Sequence, residues 1–220
     1  MNRFFRRCRV LVLSGILLAL ADAAALAATT QSVGIARPVA RVDRVQGEAR
    51  VERGGASAPL KAGDPLRRYD YLKTENGARL SLTFRDGSRL SIGENAFVVI
   101  GDYRPEHGRK SGTLILDLRE GALRLTAAEP GKAPDKRVEV RTSAGTIAAR
   151  AMDVWSGPID GQVGVLLMGG RVDVRNDAGS VVLHKKKLGT IVAHRASAPE
   201  KAVRWPSEKV KQAIRSVAFR

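Results

Sequence analysis

The side chains that most often carry catalysis or bind metals are few and widely separated in this chain. Its histidines are His107, His184 and His194, and none has a second histidine, a cysteine or a carboxylate at the spacing of a metal site. No serine lies in a G-x-S-x-G pattern, and no glycine-rich stretch has the form of a phosphate-binding loop. The sequence therefore predicts no catalytic residue, no metal site and no cofactor, and hence a protein that is not an enzyme.

Asp86 raises one further question of chemistry, because it stands between the alternating apolar runs of LSLTFRDGSRLSI. A two-residue turn at Asp86 and Gly87 would put the apolar residues of the two runs on opposite faces, since a one-residue slip reverses every side chain. A three-residue loop of Arg85, Asp86 and Gly87 keeps them on one face. It pairs Phe84 with Ser88 and places Gly87 in the left-handed region. We interpret Arg85, Asp86, Gly87 and Ser88 as hairpin-turn residues with a structural role.

Short apolar runs with a period of two residues dominate the chain from residue 42 onward. About twelve such runs can be counted, rich in Val, Leu and Ile and separated by Gly or Asp; examples are ARLSLTF, TLILDLREGALRLT and VGVLLMGGRVDVRN. Many closely spaced short strands are typical of a sandwich, a barrel or a solenoid. The pattern predicts an all-β domain over residues 42–195, with a sandwich or solenoid-like arrangement left open.

The C-terminal segment, residues 196–220, changes to a helical period. Val210, Ala213, Ile214 and Val217 fall on one face of a helix predicted over about residues 208–218, with Ser207 as its N-cap. We expect this amphipathic helix to cover an edge or an end of the sheet. An exposed helix that binds a partner is the alternative.

The N-terminus has the three parts of a secretory signal peptide. Four arginines precede an eleven-residue apolar run, and Ala25 and Ala27 form an A-x-A cleavage pattern. An uncleaved anchor is the alternative, but Asp22 interrupts a run that is already short for a membrane span. We predict a signal peptide over residues 1–27, a flexible lead over 28–41, a periplasmic or otherwise exported location, and no transmembrane anchor after cleavage. The only cysteine, Cys8, would be removed with the leader, so no disulfide is expected.

The chain is strongly basic, with 38 Lys and Arg against 22 Asp and Glu, a formal charge of +16 that becomes +13 without the leader. Nucleic acid is the usual partner of a basic chain, but export argues against it. Acidic glycans, anionic lipids and envelope proteins remain as candidate partners. The alternative is a basic surface that serves only solubility. The candidate interaction residues are Lys185, Lys186 and Lys187 in a short basic run, and Trp155 and Trp205, which could stack on a sugar or fill the core or a helix–sheet joint.

Five stretches, taken in order, resemble the FecR family. They are VQGEARV, the Gly63-Asp64 pair followed by Thr74, the run from 78 to 92 with its Asp-Gly-Ser turn, L-x-x-G-x-L at 118–123, and VEVRTSAGTIAARAMDVWSG with LLMGGRVDV. The resemblance spans about residues 42–192. Two departures stand inside it: Ser143 replaces a usual Pro, and Ala151-Met152 replaces a usual Gly-Thr.

The resemblance implies an exported sensory or interaction domain. Signalling members of the family carry a cytoplasmic sigma-regulating segment and a membrane span before this domain, and residues 1–27 cannot supply both. We therefore expect protein–protein interaction, scaffolding or signal reception in the envelope, with an envelope protein as partner. The alternative function is binding of an acidic envelope glycan or cell-wall polymer through the basic run and the tryptophans.

Overall fold

A computed structural model describes residues 37–104, 112–127, 137–149 and 152–220. The predicted signal peptide over 1–27 and residues 28–36 of the flexible lead lie outside these ranges, as do His107 and Ala151. In the described ranges no helix is both long enough and apolar enough to span a membrane.

Within those ranges the chain forms eighteen strands and one helix, and most strands match the runs of alternating apolar residues. The elements are β1 (Ala40–Gln46), β2 (Ala49–Arg53), β3 (Ala56–Pro59), β4 (Pro65–Leu66), β5 (Tyr71–Thr74), β6 (Arg79–Phe84), β7 (Arg89–Ile92), β8 (Ala96–Arg104), β9 (Thr113–Glu120), β10 (Leu123–Thr126), β11 (Arg137–Arg141), β12 (Thr146–Ala149), β13 (Met152–Ile159), β14 (Gln162–Gly170), β15 (Val172–Asn176), β16 (Gly179–Leu183), β17 (Leu188–Val192), β18 (Val203–Arg204) and α1 (Ser207–Val217).

The strands build two sheets, each of nine strands in the described residues, so the all-β prediction is confirmed. Sheet 1 has the order β18-β17-β14-β13-β10-β7-β6-β1-β4, and sheet 2 has the order β16-β15-β12-β11-β9-β8-β5-β2-β3. The chain crosses between the sheets after one or two strands and advances along both in the same direction. The arrangement therefore combines two facing sheets, as in a sandwich, with the progressive strand order of a solenoid.

One apolar core lies between the sheets, because the inward-facing residues of both belong to a single buried cluster. On β6, Leu80, Leu82 and Phe84 are buried while Ser81 and Thr83 between them are half-buried. This alternation is what a strand with one face in the core requires. The buried leucines and valines of sheet 2 close the same core from the other side.

Two sequence-based expectations about strands need correction. The count of about twelve was too low, since some apolar runs hold two strands: VGVLLMGGRVDVRN contains all of β14 but its first residue, and the whole of β15. The domain boundary at residue 42 falls inside β1, because Ala40 already pairs with Leu66 on one side and with Phe84 on the other. Pairing with distant strands sets this start, and no local pattern reports it.

The C-terminal helix exists at the expected place but differs in its cap and in its position. Its N-cap is Pro206, with no side-chain cap hydrogen bond, and Ser207 is the first helical residue, so the Ser207 cap prediction was wrong. The helix packs on the outer face of sheet 1 rather than on an edge or an end. Val210, Ala213 and Val217 join a second buried cluster there, which includes Trp155 and Trp205.

Candidate interaction site

The β6–β7 hairpin holds Asp86 in a structural turn. The Gly87 N–H donates to the Phe84 carbonyl at 2.9 Å, and the Phe84 N–H donates to the Ser88 carbonyl at 2.8 Å. Gly87 has φ of 82°, in the left-handed region that glycine adopts without strain. The Ser88 N–H donates to Asp86 Oδ1 at 2.9 Å, so this carboxylate orders its own loop.

The register of this hairpin places all its apolar residues on the inner face. Leu80 lies opposite Ile92 and Leu82 lies opposite Leu90, and all four are buried. This is the pairing that a three-residue loop requires.

Both tryptophans lie in the joint between α1 and sheet 1. Trp155 on β13 is 1% exposed and Trp205 is 4% exposed. Their rings meet edge to face, with centroids 6.2 Å apart and planes at 71°, and the Lys209 ammonium lies 4.8 Å from the Trp205 ring centre. Neither ring presents an open face to solvent, so stacking on a sugar has no surface here.

Glycines on the outer face of sheet 1 make room for this joint. A Cβ on Gly189 would lie 2.3 Å from Trp205 Cε2, and a Cβ on Gly93 would lie 2.5 Å from the Ser216 carbonyl oxygen. Such distances exclude any side chain without a shift of the neighbours. Sequence analysis missed this function of the glycines, although glycine inside an apolar strand is a signal of close backbone approach.

The basic turn at residues 185–187 joins β16 to β17 and extends into solvent. Its backbone is fixed: the Lys187 N–H donates to the Leu167 carbonyl at 2.8 Å, and the Lys187 carbonyl accepts from the Trp205 N–H at 3.0 Å. The turn thus lies beside the Trp205 backbone, and its three lysines are exposed whereas the Trp205 ring is buried. The structure does not combine the lysines and tryptophans into one accessible site.

Several titratable groups in the described residues form ion pairs or charge-assisted hydrogen bonds. Asp70 is fully buried and makes two 2.6 Å bonds to Arg53, and the pKa of Arg53 is raised mainly by this hydrogen bonding. The pKa of Glu94 is lowered, first by the Gly77 N–H and then by Arg79. Within the described ranges, no group of three His, Cys, Asp or Glu side chains could hold a metal ion.

The edges of the two sheets differ in how well they are protected. Sheet 1 ends in the two-residue strands β4 and β18, and β4 contains Pro65. Sheet 2 ends on one side in β3, which contains Pro59, and on the other in β16. Short length and proline are common means of blocking a free edge. The edge of β16, residues 179–183, has neither, and its sequence GSVVL carries no charge.

Residues 70–173 match the family model described as FecR protein. The chain carries a FecR domain. The resemblance noted in the sequence is thereby confirmed over the matched residues, which run from the residue before β5 into β15. The β16 edge and α1 follow the matched segment.

Two crystal structures of a candidate anti-sigma factor from Parabacteroides distasonis have a similar fold. Their TM-scores are 0.50 and 0.51, at 15% and 16% sequence identity, and each alignment covers 64% of this chain. The chain spans 62% of the length of those two neighbours. At this identity the likeness concerns the fold alone. A search of the curated proteins found no relative with significant sequence similarity.

Proposed function

We propose that this FecR-domain protein is a non-enzymatic interaction domain of the cell envelope, which receives an extended segment of an envelope protein at the edge of β16. The single observation that carries the proposal is the five-residue, uncharged and proline-free edge of sheet 2. A free edge offers unpaired N–H and C=O groups, and a partner's strand can pair with them.

The packing of β16 fixes what a partner strand would meet. Val181 faces the core and pairs with Val174, while Ser180 and Val182 lie on the outer face beside Arg175 and Asp173. In the described chain β16 has one ladder partner, β15, so its other side has no strand against it. A strand added there would continue sheet 2 and would contact the exposed parts of Ser180 and Val182.

Charges around this edge favour an acidic partner. Lys185 and Lys186 follow β16 after His184 and are exposed. On the adjacent strand, Arg175 lies opposite Ser180 and 3.6 Å from Glu139, and Asp173 lies opposite Val182. Positive charge beside a docking edge speeds the encounter with an acidic partner and weakens with salt. The proposed role of the basic turn is therefore to steer the partner, with the backbone of β16 supplying the specific contacts.

The envelope location rests on the predicted signal peptide over residues 1–27 and on the FecR domain. Signal reception is the use of such a domain that best agrees with a fold similar to that of a candidate anti-sigma factor. The glycan-binding alternative, in the form that relies on tryptophan stacking, has no support in the burial of Trp155 and Trp205.

Site-specific photo-crosslinking in intact cells tests the proposal. A crosslinking residue at Val182 is expected to capture a discrete envelope protein through one extended acidic segment, as identified by mass spectrometry. A crosslinking residue at Ser57, on the opposite edge of sheet 2, is the matched control. If Val182 yields no protein adduct, or the same adducts as Ser57, the β16 edge is not the docking site.

Proline variants show whether loss of the adduct comes from a blocked β16 edge or from an unfolded protein. Successive N–H groups of a strand point alternately to its two sides. One of the variants Ser180→Pro and Val181→Pro therefore removes an N–H that faces the open edge, and the other removes an N–H that bonds to β15. The variant that keeps the wild-type Tm should lose the Val182 adduct. Directly after β3, the Leu60 N–H donates to the Ala49 carbonyl on β2. By alternation the Ser57 N–H therefore faces outward, and Ser57→Pro should leave the adduct unchanged. Adducts that survive in the well-folded β16 variant would contradict strand addition.

A further inference from the structure

Three arginines line one cleft at the end of sheet 1 away from Trp205, and a fourth lies on a strand beside it. Arg37, Arg41 and Arg85 line a cleft of about 600 Å³, and Arg89 stands on the neighbouring strand. All four side chains belong to exposed residues, and none forms an ion pair with a carboxylate of the described chain. We call these four residues the arginine row.

The strand register brings the row together. Arg41 on β1 is the direct partner of Thr83 on β6, and Thr83 is the direct partner of Arg89 on β7. Two strand spacings separate Arg41 from Arg89, or about 10 Å between their backbones. Arg85 follows two residues after Thr83, in the hairpin loop, and its N–H donates to the Val39 carbonyl. Positions far apart in sequence therefore form one line across three strands.

Three acids lie close to the arginine row, and each accepts a hydrogen bond from a donor within the protein. Asp86, in the hairpin loop between Arg85 and Arg89, accepts from the Ser88 N–H at 2.9 Å. Asp43 Oδ2 accepts a 2.7 Å bond from the Thr83 hydroxyl. Asp153, further along the same sheet, is held by two bonds of 2.8 and 2.7 Å from Arg124, and that bonding raises the pKa of Arg124. Arg41 donates to the Gly63 carbonyl, a neutral acceptor. The cleft itself thus holds three guanidinium groups and one carboxylate.

The position of the row determines the class of ligand. Strands β1, β6 and β7 have a neighbour on both sides, so no backbone edge is open there for a peptide strand. Recognition must come from side chains alone. Guanidinium groups bind carboxylates through two parallel N–H···O bonds, and a line of them about 10 Å long suits anions repeated along an extended polymer.

We propose that the arginine row is a binding site for an acidic polysaccharide whose carboxylates pair with Arg37, Arg41, Arg85 and Arg89. The site is separate from the β16 edge, and it does not use the tryptophans. It assigns a function to a part of the basic surface that protein docking at β16 leaves unused.

Binding to polygalacturonate, measured by calorimetry at low and moderate salt, tests this site in the full chain. The variant Arg85→Gln/Arg89→Gln removes two guanidinium groups and spares Arg41, whose bond to Gly63 supports the β1 region. Loss of two charge-assisted contacts should weaken binding about tenfold or more. The matched control, Lys201→Gln/Arg204→Gln, removes the same charge at two exposed residues outside both proposed sites and should bind as the wild type does. Neutral dextran should not bind.

Three results would overturn the assignment, provided that both variants keep the wild-type Tm. Equal weakening in the two variants would mean that net charge alone drives binding. No binding of polygalacturonate at low salt would show that the arginine row is not a site for an acidic polysaccharide. Polyglutamate or phosphatidylglycerol vesicles that bind at least as tightly, with the same loss in Arg85→Gln/Arg89→Gln, would assign the row to an acidic peptide or a lipid surface.

Discussion

The indole N–H of Trp155 donates a 2.9 Å hydrogen bond to the Ser216 hydroxyl, which joins the middle of sheet 1 to the last turn of α1 across 61 residues of sequence. The Ser216 hydroxyl in turn donates to the Ala213 carbonyl one turn earlier in α1, at 2.7 Å. The bond satisfies the polar atom of a ring that is otherwise enclosed, and so it fixes where the helix lies on the sheet.

Replacement of Ser216 by alanine should destabilise the fold, because the Trp155 N–H would then be buried without an acceptor. The expected loss is about 1–3 kcal/mol in the free energy of unfolding, measured by urea denaturation. Ser207→Ala is the control: Ser207 is exposed and makes no cap bond, so a change within about 0.5 kcal/mol is expected. Equal losses in the two variants would show that the Trp155 bond adds nothing.

The variant Gly189→Ala should disturb the packing of Trp205, since its Cβ would lie 2.3 Å from the ring. We expect a loss of about 1–3 kcal/mol and a change in tryptophan fluorescence, because the ring must move. Gly169→Ala is a matched control in the same sheet, where the new Cβ would make an ordinary 3.6 Å contact with Asp153. A neutral Gly189→Ala with unchanged fluorescence would argue against the close packing of Trp205.

The ion pair between the buried Asp70 and Arg53, whose side chain is 38% exposed, provides a test of charge burial. Arg53→Met would leave the Asp70 carboxylate enclosed, with the Arg67 N–H at 2.7 Å as a remaining donor. A loss of about 3 kcal/mol or more is expected in urea denaturation at neutral pH. Arg50→Met on the same strand removes a longer, exposed pair with Glu48 and should cost less than about 1 kcal/mol. A smaller loss of stability in Arg53→Met than in Arg50→Met would show that the Arg53 pair with Asp70 is not the more stabilising of the two.

Glu94 should make stability depend on pH in the acidic range. Its pKa in the folded state lies below the ordinary 4.5, mainly because the Gly77 N–H bonds to the carboxylate. The group therefore adds stability above about pH 4.5, and this contribution disappears as the pH falls through its folded pKa.

The comparison to make is between wild type and Glu94→Gln, by thermal unfolding from pH 7 to pH 2. The variant should be less stable at neutral pH, and the two curves should converge in acid. Glu75→Gln, at an exposed residue, should run parallel to the wild type throughout. A constant offset between Glu94→Gln and wild type at all pH values would exclude the titration of Glu94 as the cause.

Much of the local structure followed from pattern and turn chemistry. The alternation in LSLTFRDGSRLSI was enough to derive the pairing of Leu82 with Leu90, because only one loop length keeps both in the core. The helical period around Val210 and Ala213 located α1 to within a residue or two. The prediction of Ser207 as the N-cap was wrong because Pro206 already has the extended geometry of an N-cap.

The sequence by itself determined the class of the fold, the hairpin at Asp86, the existence of the C-terminal helix and the likeness of residues 70–173 to FecR proteins, since each depends on neighbours within a few residues or on a linear pattern. Only the tertiary structure decided that Trp155 and Trp205 are buried, that β16 is the unprotected edge, and that Arg41 and Arg89 lie in one row. These relations join residues tens of positions apart, and they depend on the order of strands in two sheets. Periodicity states which face of a strand is buried, but it carries no information about which strand lies next to it.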